Sequence, residues 1–346
     1  MSTRWNGKSR AKGSRTVGVT TGSGDARWLA AAARLAGRAR PLSSPNPAVG
    51  CIVVREGRVV GRGWTAAGGR PHAEAAALAM AGDAARGATV YVTLEPCAHR
   101  SHRGPACADI LAEAAPARVI VGVADPDPRT ASAGLDRLRA AGIEVVLADC
   151  ATCADSLRGY LVRANTGRPH VTLKFAASLD GCIALPDGTS RWITGPEARA
   201  HVHARRARAD AILVGGGTWR ADAPGLDVRL PGLGDRSPER YVLTRGAAPA
   251  GTRAIAEPPA ISAMEGVQYI YIEGGAETAA AFLAADLVDR IEIYRAPIIV
   301  GDGLRAVGAL GLNDLVNAHG RWQQVEDAQL GSDHFAAYRR TREGAV

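Results

Sequence analysis

Three side chains suited to binding a metal ion, His72, Cys97 and Cys107, stand close together in the sequence. One imidazole and two thiolates supply three ligands for a tetrahedral ion and leave the fourth position open for water, which is the arrangement of a catalytic zinc ion. Zinc held by such ligands lowers the pKa of bound water toward about 7, so that a nucleophile is available at neutral pH. The sequence therefore predicts a catalytic zinc site.

The choice of the third ligand depends on an unusual spacing of the cysteines. The common Pro-Cys-x-x-Cys pattern would place a ligand at Arg100, which cannot bind a cation, so the candidates are Cys107, His99 and His102. We favour Cys107 because residues 108–113, which follow it, have the composition of a helix. The competing interpretation is a reduced cytosolic protein whose cysteines are incidental.

Glu74 follows the predicted ligand His72 by two residues and begins an apolar run, so it falls in the first turn of a predicted helix. From there its carboxylate can reach the metal-bound water without binding the metal itself. It can take a proton from water and pass it to a departing amine, as in deaminases with His-x-Glu and Pro-Cys motifs. Cys97 is predicted to begin a second helix, whose N-terminal dipole would favour the thiolate.

The elements that position these residues indicate a layered α/β arrangement in the N-terminal half. A helix is predicted from Asp25, and residues 51–61 have the pattern of a β-hairpin. Strands that alternate with helices predict a sheet with the metal site at the strand ends. Asn46, in a proline-rich loop, could present its amide to a ring substrate or simply form a turn. Further strands are predicted at residues 88–94, 118–123 and 143–147.

The domain organisation follows from length and local composition. A chain of 346 residues is longer than one hydrophobic core usually supports, so two domains are expected. Residues 1–25 are basic and rich in Ser, Gly and Thr, which predicts a disordered tail. The Gly-Arg-Pro sequence at residues 167–169 marks the boundary between predicted domains at residues 26–166 and 167–346.

The overall composition excludes several classes of protein. A hydrophobic content of 47% with 22% charged residues is typical of a globular protein. The net charge of +8 suits a phosphorylated substrate or a nucleic acid, and charge alone does not choose between them. Six cysteines in so long a chain do not indicate a disulfide framework, and no apolar run is long enough to span a membrane. We therefore expect a cytoplasmic enzyme.

Two glycine-rich turns in the second half, at residues 215–217 and 274–275, each follow a predicted strand and precede a helix. Such turns hold phosphate groups with backbone amides, so they indicate a nucleotide, although neither has the Gly-x-Gly-x-x-Gly pattern. Another helix is predicted with Thr194 as its cap, and most of its basic residues are interpreted as a solvated face. These basic residues are Arg199, His201, His203, Arg205, Arg206 and Arg208.

Motifs in both halves match one known family. They are Pro45-Asn46-Pro47-Ala48-Val49-Gly50, His72-Ala73-Glu74, Thr93-Leu94-Glu95-Pro96-Cys97, Cys107, Lys174, Ser178-Leu179-Asp180-Gly181, Ser190, Trp192-Ile193-Thr194, Thr218, Asp222, Arg229 and Glu273-Gly274-Gly275. Over roughly residues 26 to 340 the chain resembles the bifunctional riboflavin-biosynthesis enzymes, which join diaminohydroxyphosphoribosylaminopyrimidine deaminase to 5-amino-6-(5-phosphoribosylamino)uracil reductase. The resemblance implies an α/β protein, with an N-terminal three-layer domain like cytidine deaminase and a C-terminal domain like dihydrofolate reductase.

The resemblance also implies cofactors and roles for individual residues. The cofactors would be Zn²⁺ and NADPH, and the protein would form a homo-oligomer through its reductase domain. Lys174 or Asp222 could assist the reduction. The implied substrate contacts are Ser190, Arg206, Leu226, Arg229 and Glu273, and the implied NADPH contacts are Lys174, Ser178, Trp192, Thr218, Asp222, Gly274 and Gly275.

The implied function is a two-step conversion of 2,5-diamino-6-(5-phosphoribosylamino)pyrimidin-4(3H)-one. The zinc site would remove an amine by hydrolysis, and NADPH would then reduce the ribosyl group to ribityl. This function predicts a small phosphorylated pyrimidine as the substrate and neither a nucleic acid nor a membrane as a partner.

Two other functions are compatible with the same residues. The loop before Cys107 is one residue longer than the family pattern, and Asp222-Ala223-Pro224 stands where the family prefers two acids. These departures keep open a single-activity deaminase paralogue with a degenerate reductase domain, in a specialised, azapteridine-type pathway. A nucleic-acid deaminase would explain the net charge and the zinc motif, but an aromatic content of 5% offers few surfaces for stacking bases.

Overall fold

The computed structural model describes residues 23–99, 103–128 and 131–342. The predicted basic tail therefore lies outside the described residues as far as position 22. Its last three positions belong to the first helix, which begins at Ser23 rather than at Asp25. None of the helices in the described ranges combines the length and the apolar surface that a lipid bilayer requires.

A five-stranded sheet forms the centre of the N-terminal half. Its strands are β1 (Gly50–Arg55), β2 (Arg58–Trp64), β3 (Thr89–Leu94), β4 (Arg118–Val123) and β5 (Glu144–Leu147). The strand order is β2-β1-β3-β4-β5, with β1 antiparallel to both of its neighbours and β3, β4 and β5 parallel. The predicted hairpin is confirmed, and Glu56 and Gly57 form its turn with φ angles of 50° and 74°.

Helices cover both faces of this sheet and give the three layers that the family resemblance implied. They are α1 (Ser23–Ala36), α2 (Ala73–Ala81), α3 (Cys107–Ala114), α4 (Ala133–Ala140), α5 (Ala151–Ser156) and α6 (Arg158–Thr166). Successive residues of β1 point to opposite faces, as in any strand. Val53 packs with Ala77 of α2 in one apolar cluster, whereas Ile52 packs with Leu29 of α1 in another.

A larger sheet forms the centre of the C-terminal half. Its eight strands are β6 (His170–Ala177), β8 (Ala211–Gly215), β9 (Glu239–Leu243), β10 (Arg253–Ile255), β11 (Tyr269–Ile272), β12 (Arg290–Arg295), β14 (Trp322–Leu330) and β15 (Asp333–Arg340). Two short strands, β7 (Cys182–Ala184) and β13 (Leu304–Arg305), form a separate two-stranded sheet. The order is β10-β9-β8-β11-β6-β12-β15-β14. The first six strands in this order are parallel, and β15 runs antiparallel to both neighbours.

Three helices pack on the two faces of the larger sheet. They are α7 (Pro196–Arg206), α8 (Gly216–Asp222) and α9 (Ala276–Ala284). Val202 of α7 belongs to the same apolar cluster as Ile212, whereas Phe282 of α9 belongs to the cluster of Leu213. The described chain therefore consists of two α/β halves, each built on a large sheet of its own.

Polar contacts join the two halves. The Ser44 hydroxyl donates to the Asp210 carboxylate at 2.5 Å, and the Gln268 amide donates to the Pro45 carbonyl at 2.7 Å. Both contacts involve the loop between α1 and β1, so the loop that leads into the N-terminal sheet is also held by residues of the C-terminal half.

Two helix starts differ from the predictions. Cys97 lies in an irregular segment after β3, and the nearby helix begins at Cys107, because apolar residues with helical spacing follow Cys107 and not Cys97. At the start of α7 the cap is Gly195 rather than Thr194, since Pro196 occupies the first helical position, where its missing N–H is not needed.

Candidate active sites

The three predicted metal ligands meet at one point of the N-terminal half. Their ligand atoms all lie within 4.8 Å of one another. His72 Nδ1 is 3.2 Å from Cys107 Sγ and 3.7 Å from Cys97 Sγ, and the backbone N–H of Cys107 donates to Cys97 Sγ at 3.3 Å. These distances bring the imidazole and both sulfurs within reach of a single ion.

Each ligand stands at the end of a regular element. His72 is the cap of α2, Cys107 is the first residue of α3, and Cys97 follows the end of β3. Both cysteines are buried, with 8% and 1% of their surfaces exposed. One nitrogen and two sulfurs in a buried cluster are the donors that zinc prefers, and three protein ligands leave one position for a reactant.

Of the two alternative third ligands, His99 and His102, only His99 belongs to the described residues. His99 is exposed and is not part of the cluster, which among the described residues contains only His72, Cys97 and Cys107. His102 lies outside the described residues. The structure therefore brings Cys107, the favoured candidate, to the site.

Glu74 lies in the first turn of α2, as predicted, with only 3% of its surface exposed. Burial raises the pKa of its carboxyl above the ordinary value, and it shares a hydrogen bond with the Cys107 thiol. A second hydrogen bond, between Cys107 and Cys97, lowers the pKa of Cys97 and raises that of Cys107. A buried carboxyl group beside the three predicted ligands is placed to exchange a proton with a reactant there.

Glu95 has a positioning role that the sequence analysis did not assign. Its Oε2 accepts hydrogen bonds from the backbone N–H groups of Asp125 and Ser132, both at 3.3 Å, and its Oε1 accepts one from Gly134 at 3.2 Å. The carboxylate is 3% exposed. It therefore ties the segments after β4 to the strand end that leads to Cys97. The sequence signal for this role was a single acid between an apolar strand and a Pro-Cys motif.

Asn46 packs against the turn that precedes His72. A Cβ atom added at Gly69 would lie 2.4 Å from Cγ of Asn46, closer than any real side chain allows. Gly69 also has a φ of 85°, so glycine is required there for two reasons. The turn therefore fixes where the Asn46 amide stands.

A cavity of about 770 Å³ in the C-terminal half brings together most of the residues predicted for the second site. Ser178 is the exception. It does not line the cavity, and its buried hydroxyl donates to the Asp180 carboxylate at 2.5 Å. The predicted residues that do line the cavity are Lys174, Ser190, Trp192, Arg206, Thr218, Asp222, Leu226, Arg229, Glu273, Gly274 and Gly275.

Glu273 is held by two cations at the wall of this cavity. Arg206 donates two hydrogen bonds to its carboxylate, at 2.6 and 2.9 Å, and Lys174 Nζ lies 3.5 Å away. Burial alone would raise the pKa of Glu273, but the charges of Lys174 and Arg206 outweigh it and lower the pKa to about 2. Arg206, which is 8% exposed, is an exception to the solvated face predicted for most of the basic residues of this helix.

Four further polar or charged cavity residues, Arg191, Thr194, Arg199 and His203, were missed as site residues. Arg199, His203 and Arg206 are separated by four and three positions, which places them on one side of a helix. That spacing was present in the sequence, but His201, Arg205 and Arg208 have the same spacing, so the sequence did not show which side of the helix lines the cavity.

The glycine-rich turns lie where the sequence predicted them. The first runs from β8 into α8, and the second runs from β11 into α9. Both line the cavity, and a Cβ atom at Gly275 would lie 3.3 Å from the Thr218 hydroxyl. The two turns therefore approach each other, with backbone N–H groups at the start of a helix available to an anion.

Comparison with known families divides the chain at the same place as the two sheets. Residues 23–123 match the cytidine and deoxycytidylate deaminase zinc-binding region. Residues 169–258 and 259–334 match the RibD C-terminal domain. The first match contains all three clustered ligands, and the second contains the cavity.

Relatives match nearly the whole chain. The riboflavin biosynthesis protein RibD of Escherichia coli is 36% identical over an alignment of 344 residues, and the match covers 85% of this chain and 94% of the relative. The RibD protein of Mycobacterium tuberculosis is 41% identical over an alignment of 307 residues, and the match covers 84% of this chain and 89% of the relative.

Solved structures agree in fold. The crystal structure of a diaminohydroxyphosphoribosylaminopyrimidine deaminase/5-amino-6-(5-phosphoribosylamino)uracil reductase from Thermotoga maritima has a TM-score of 0.82 at 28% identity. RibD of Acinetobacter baumannii has a TM-score of 0.81 at 34% identity. Each similarity covers 92% of this chain and 99% of the other.

These matches confirm the predicted fold class, a deaminase-like α/β domain followed by a reductase domain. They also confirm an enzyme that combines a zinc-dependent deaminase with an NADPH-dependent reductase. The similarity extends through both halves and is not confined to the zinc motif. The chain therefore belongs to the RibD family, the bifunctional deaminases and reductases of riboflavin biosynthesis.

Proposed function

We propose that the chain deaminates 2,5-diamino-6-(5-phosphoribosylamino)pyrimidin-4(3H)-one and then reduces its ribosyl group to ribityl with NADPH. Residues 26–166 would carry out the first step and residues 167–346 the second. The observation that carries the proposal is the cluster of half-buried His72 with buried Cys97 and Cys107 beside Glu74, in a chain whose other half forms a large basic cavity.

In the deaminase step, His72, Cys97 and Cys107 would hold Zn²⁺, which when bound makes a water molecule nucleophilic at neutral pH. Glu74 would accept a proton from the attacking water and deliver it to the departing amine. Its buried position supports this role, because a raised pKa lets one carboxyl group act first as a base and then as an acid. Asn46 would orient the pyrimidine ring with its amide.

In the reductase step, the cavity would hold NADPH beside the sugar of the deaminated intermediate, and NADPH supplies the reducing equivalent. The glycine turn at Gly274-Gly275 offers backbone amides at the start of α9 to the cofactor phosphates. Ordering two reactants in one cavity removes much of the entropic barrier to their reaction.

The charge of the cavity lining supports a phosphorylated ligand. Its cationic side chains outnumber its acids, and the acid Glu273 is already paired with Arg206 and Lys174. Arg229 is exposed, and within the described part of the chain its guanidinium has Asp227, at 3.6 Å, as its one ion-pair partner, so it is accessible to a phosphate. The cationic lining residues are Lys174, Arg191, Arg199, Arg206 and Arg229, and the acidic ones are Asp222 and Glu273.

The test is incubation of the zinc-loaded protein with the diaminopyrimidine phosphate, with and without NADPH, followed by mass spectrometry. Without NADPH we expect a product in which oxygen has replaced one amino group. With NADPH we expect the same product with two additional hydrogens. Deamination without reduction would instead support the single-activity paralogue, and no product in either reaction would overturn the proposal.

Cytoplasmic location and homo-oligomer formation stay predictions. Light scattering of the purified protein measures its oligomeric state directly.

A further inference from the structure

A second cavity, of about 300 Å³, lies between the two halves of the chain and apart from both candidate active sites. The loop after α1 contributes Gly37 and Arg40, and the C-terminal half contributes His170, Arg208 and Tyr269. Charged side chains dominate its lining. They are Arg40, Arg158, Arg205, Arg208, Arg290 and Arg339, with the acids Asp155, Asp289, Glu292 and Glu326.

The acids of this cavity are all paired with other arginines. Asp155 binds Arg158 and Arg339, and Glu292 and Glu326 each bind both Arg205 and Arg290. Asp289 pairs with Arg168 and Arg342, which do not line the cavity. Among the described residues, Arg40 and Arg208 therefore form no ion pair with a carboxylate.

Arg40 is fixed in an orientation that leaves a donor unused. Its guanidinium carbon lies 3.3 Å from the centroid of the Tyr269 ring, and its Nη2 donates to the Arg208 carbonyl at 2.8 Å. Its Nε is buried without a hydrogen-bond partner in the described part of the chain. A buried, unpaired donor on a charged group is costly unless a ligand satisfies it.

His170 presents a second unused polar atom. The residue is 7% exposed, and its Nδ1 is buried without a partner among the described residues. Burial, with the charge of Arg40 among its further causes, lowers the pKa of His170 to about 4. The imidazole is therefore neutral at physiological pH and can donate one hydrogen bond without adding charge.

Arg208 is exposed as a residue, but its guanidinium packs against the loop after α1. A Cβ atom at Gly37 would lie 2.8 Å from Arg208 Nη2, so the guanidinium lies close to the backbone of this loop. Loss of hydration, together with repulsion from Arg40 and Arg205, lowers the pKa of Arg208 to about 10. An anion between these arginines would remove that repulsion.

We propose that this cavity binds a phosphate group, either free phosphate or the monoester of a small molecule, between Arg40 and Arg208 and beside His170. The planar guanidinium group matches the oxygens of a phosphate, and charge-assisted hydrogen bonds of this kind are among the strongest in proteins. Because Arg40 belongs to one half and Arg208 and His170 to the other, the ligand joins the two halves. This site is independent of the proposed two-step reaction.

The experiment is isothermal titration of the full-length, zinc-loaded protein with inorganic phosphate and, separately, with ribose 5-phosphate. We expect saturable binding in the wild type. Arg40→Ala and Arg208→Ala should each weaken it by about tenfold or more, since each removes a charge-assisted hydrogen bond. Tighter binding of ribose 5-phosphate than of phosphate would identify a monoester as the ligand, and equal affinities would identify the free ion.

Arg229→Ala serves as the matched control, because it removes an arginine from the larger cavity and leaves this one intact. Binding that is lost in Arg229→Ala and kept in Arg208→Ala would overturn the proposal, as would the absence of binding in the wild type. If Arg208→Ala does not fold by circular dichroism, Arg208→Lys retains the charge without the planar group and should bind more weakly than the wild type. Unchanged affinity in that variant also contradicts the proposal.

Discussion

Arg206 and Glu273 form a bidentate ion pair at the wall of the larger cavity, with Nε 2.6 Å from Oε1 and Nη2 2.9 Å from Oε2. The family resemblance implied that each contacts the substrate, and the structure shows that they also contact each other. Since Arg206 is buried, removal of the Glu273 charge leaves the Arg206 guanidinium without its carboxylate partner.

Glu273→Gln should therefore destabilise the reductase domain. Removal of one partner from a buried ion pair costs about 3–5 kcal/mol. The exposed pair of Asp227 and Arg229 provides the control, and Asp227→Asn should cost at most about 1 kcal/mol. Free energies of unfolding from denaturant titration measure both effects. Equal values for the two variants would show that the pair does not stabilise the fold.

The same carboxylate predicts a pH dependence. Glu273 has a pKa lowered to about 2 in the folded protein, against about 4.3 in an unfolded chain. A lowered pKa contributes stability that is complete above the unfolded value and is lost as the pH falls toward the folded one. The difference in unfolding free energy between wild type and Glu273→Gln should thus shrink as the pH is lowered from about 5 toward 3. A difference that is constant over this range would contradict the assignment.

Glu74→Gln should retain zinc but release ammonia at least about a hundredfold more slowly, because the amide cannot transfer the proton. Elemental analysis measures the metal, and an ammonia assay measures the rate. Glu113, an exposed acid on α3, is the control, and Glu113→Gln should behave as the wild type. A fully active Glu74→Gln protein would refute the proton-transfer role.

Cys107→Ser should lose most of its zinc, since a hydroxyl is a much poorer ligand than a thiolate. Cys150 lies outside the cluster, and Cys150→Ser should keep full zinc content. Metal content after dialysis against a chelator distinguishes the two. Full occupancy in Cys107→Ser would mean that another residue is the third ligand.

Gly68 and Gly69 offer a matched pair for testing Asn46. Both have a positive φ, so replacement by alanine should cost each about 1–2 kcal/mol of backbone strain. A Cβ atom at Gly68 meets nothing within 4 Å, whereas one at Gly69 collides with Asn46. Gly69→Ala alone should therefore raise KM for the deaminase substrate. An equal effect of Gly68→Ala on KM would argue against a role for Asn46.

The zinc site could be predicted from the sequence because its residues lie in short motifs with fixed chemistry. His72 and Glu74 share a helix start, so their separation in sequence determines their separation in space. The choice of Cys107 over His99 needed only the recognition that a helix follows it. The local structure at Cys97 was harder to predict, because no local sequence pattern shows that the segment after Pro96 is irregular.

The reductase cavity was predicted through family motifs and not through geometry. Arg206 and Glu273 are distant in sequence and belong to different elements, so nothing local indicates that they pair. The basic residues of α7 were assigned mostly to solvent because charge at the surface is the usual arrangement. Only the packing of α7 against the sheet shows which of its sides is covered.

That packing has a consequence for the two cavities. Two consecutive residues of α7 line different cavities: Arg205 lines the cavity between the halves, and Arg206 lines the larger cavity. Neighbouring side chains on a helix diverge by about 100°, so one helix forms a partition with a charged group on either side. Rotation of α7 about its axis therefore cannot change the shape of one cavity without displacing a cation in the other. Substitutions in α7 that reshape either cavity are constrained by both.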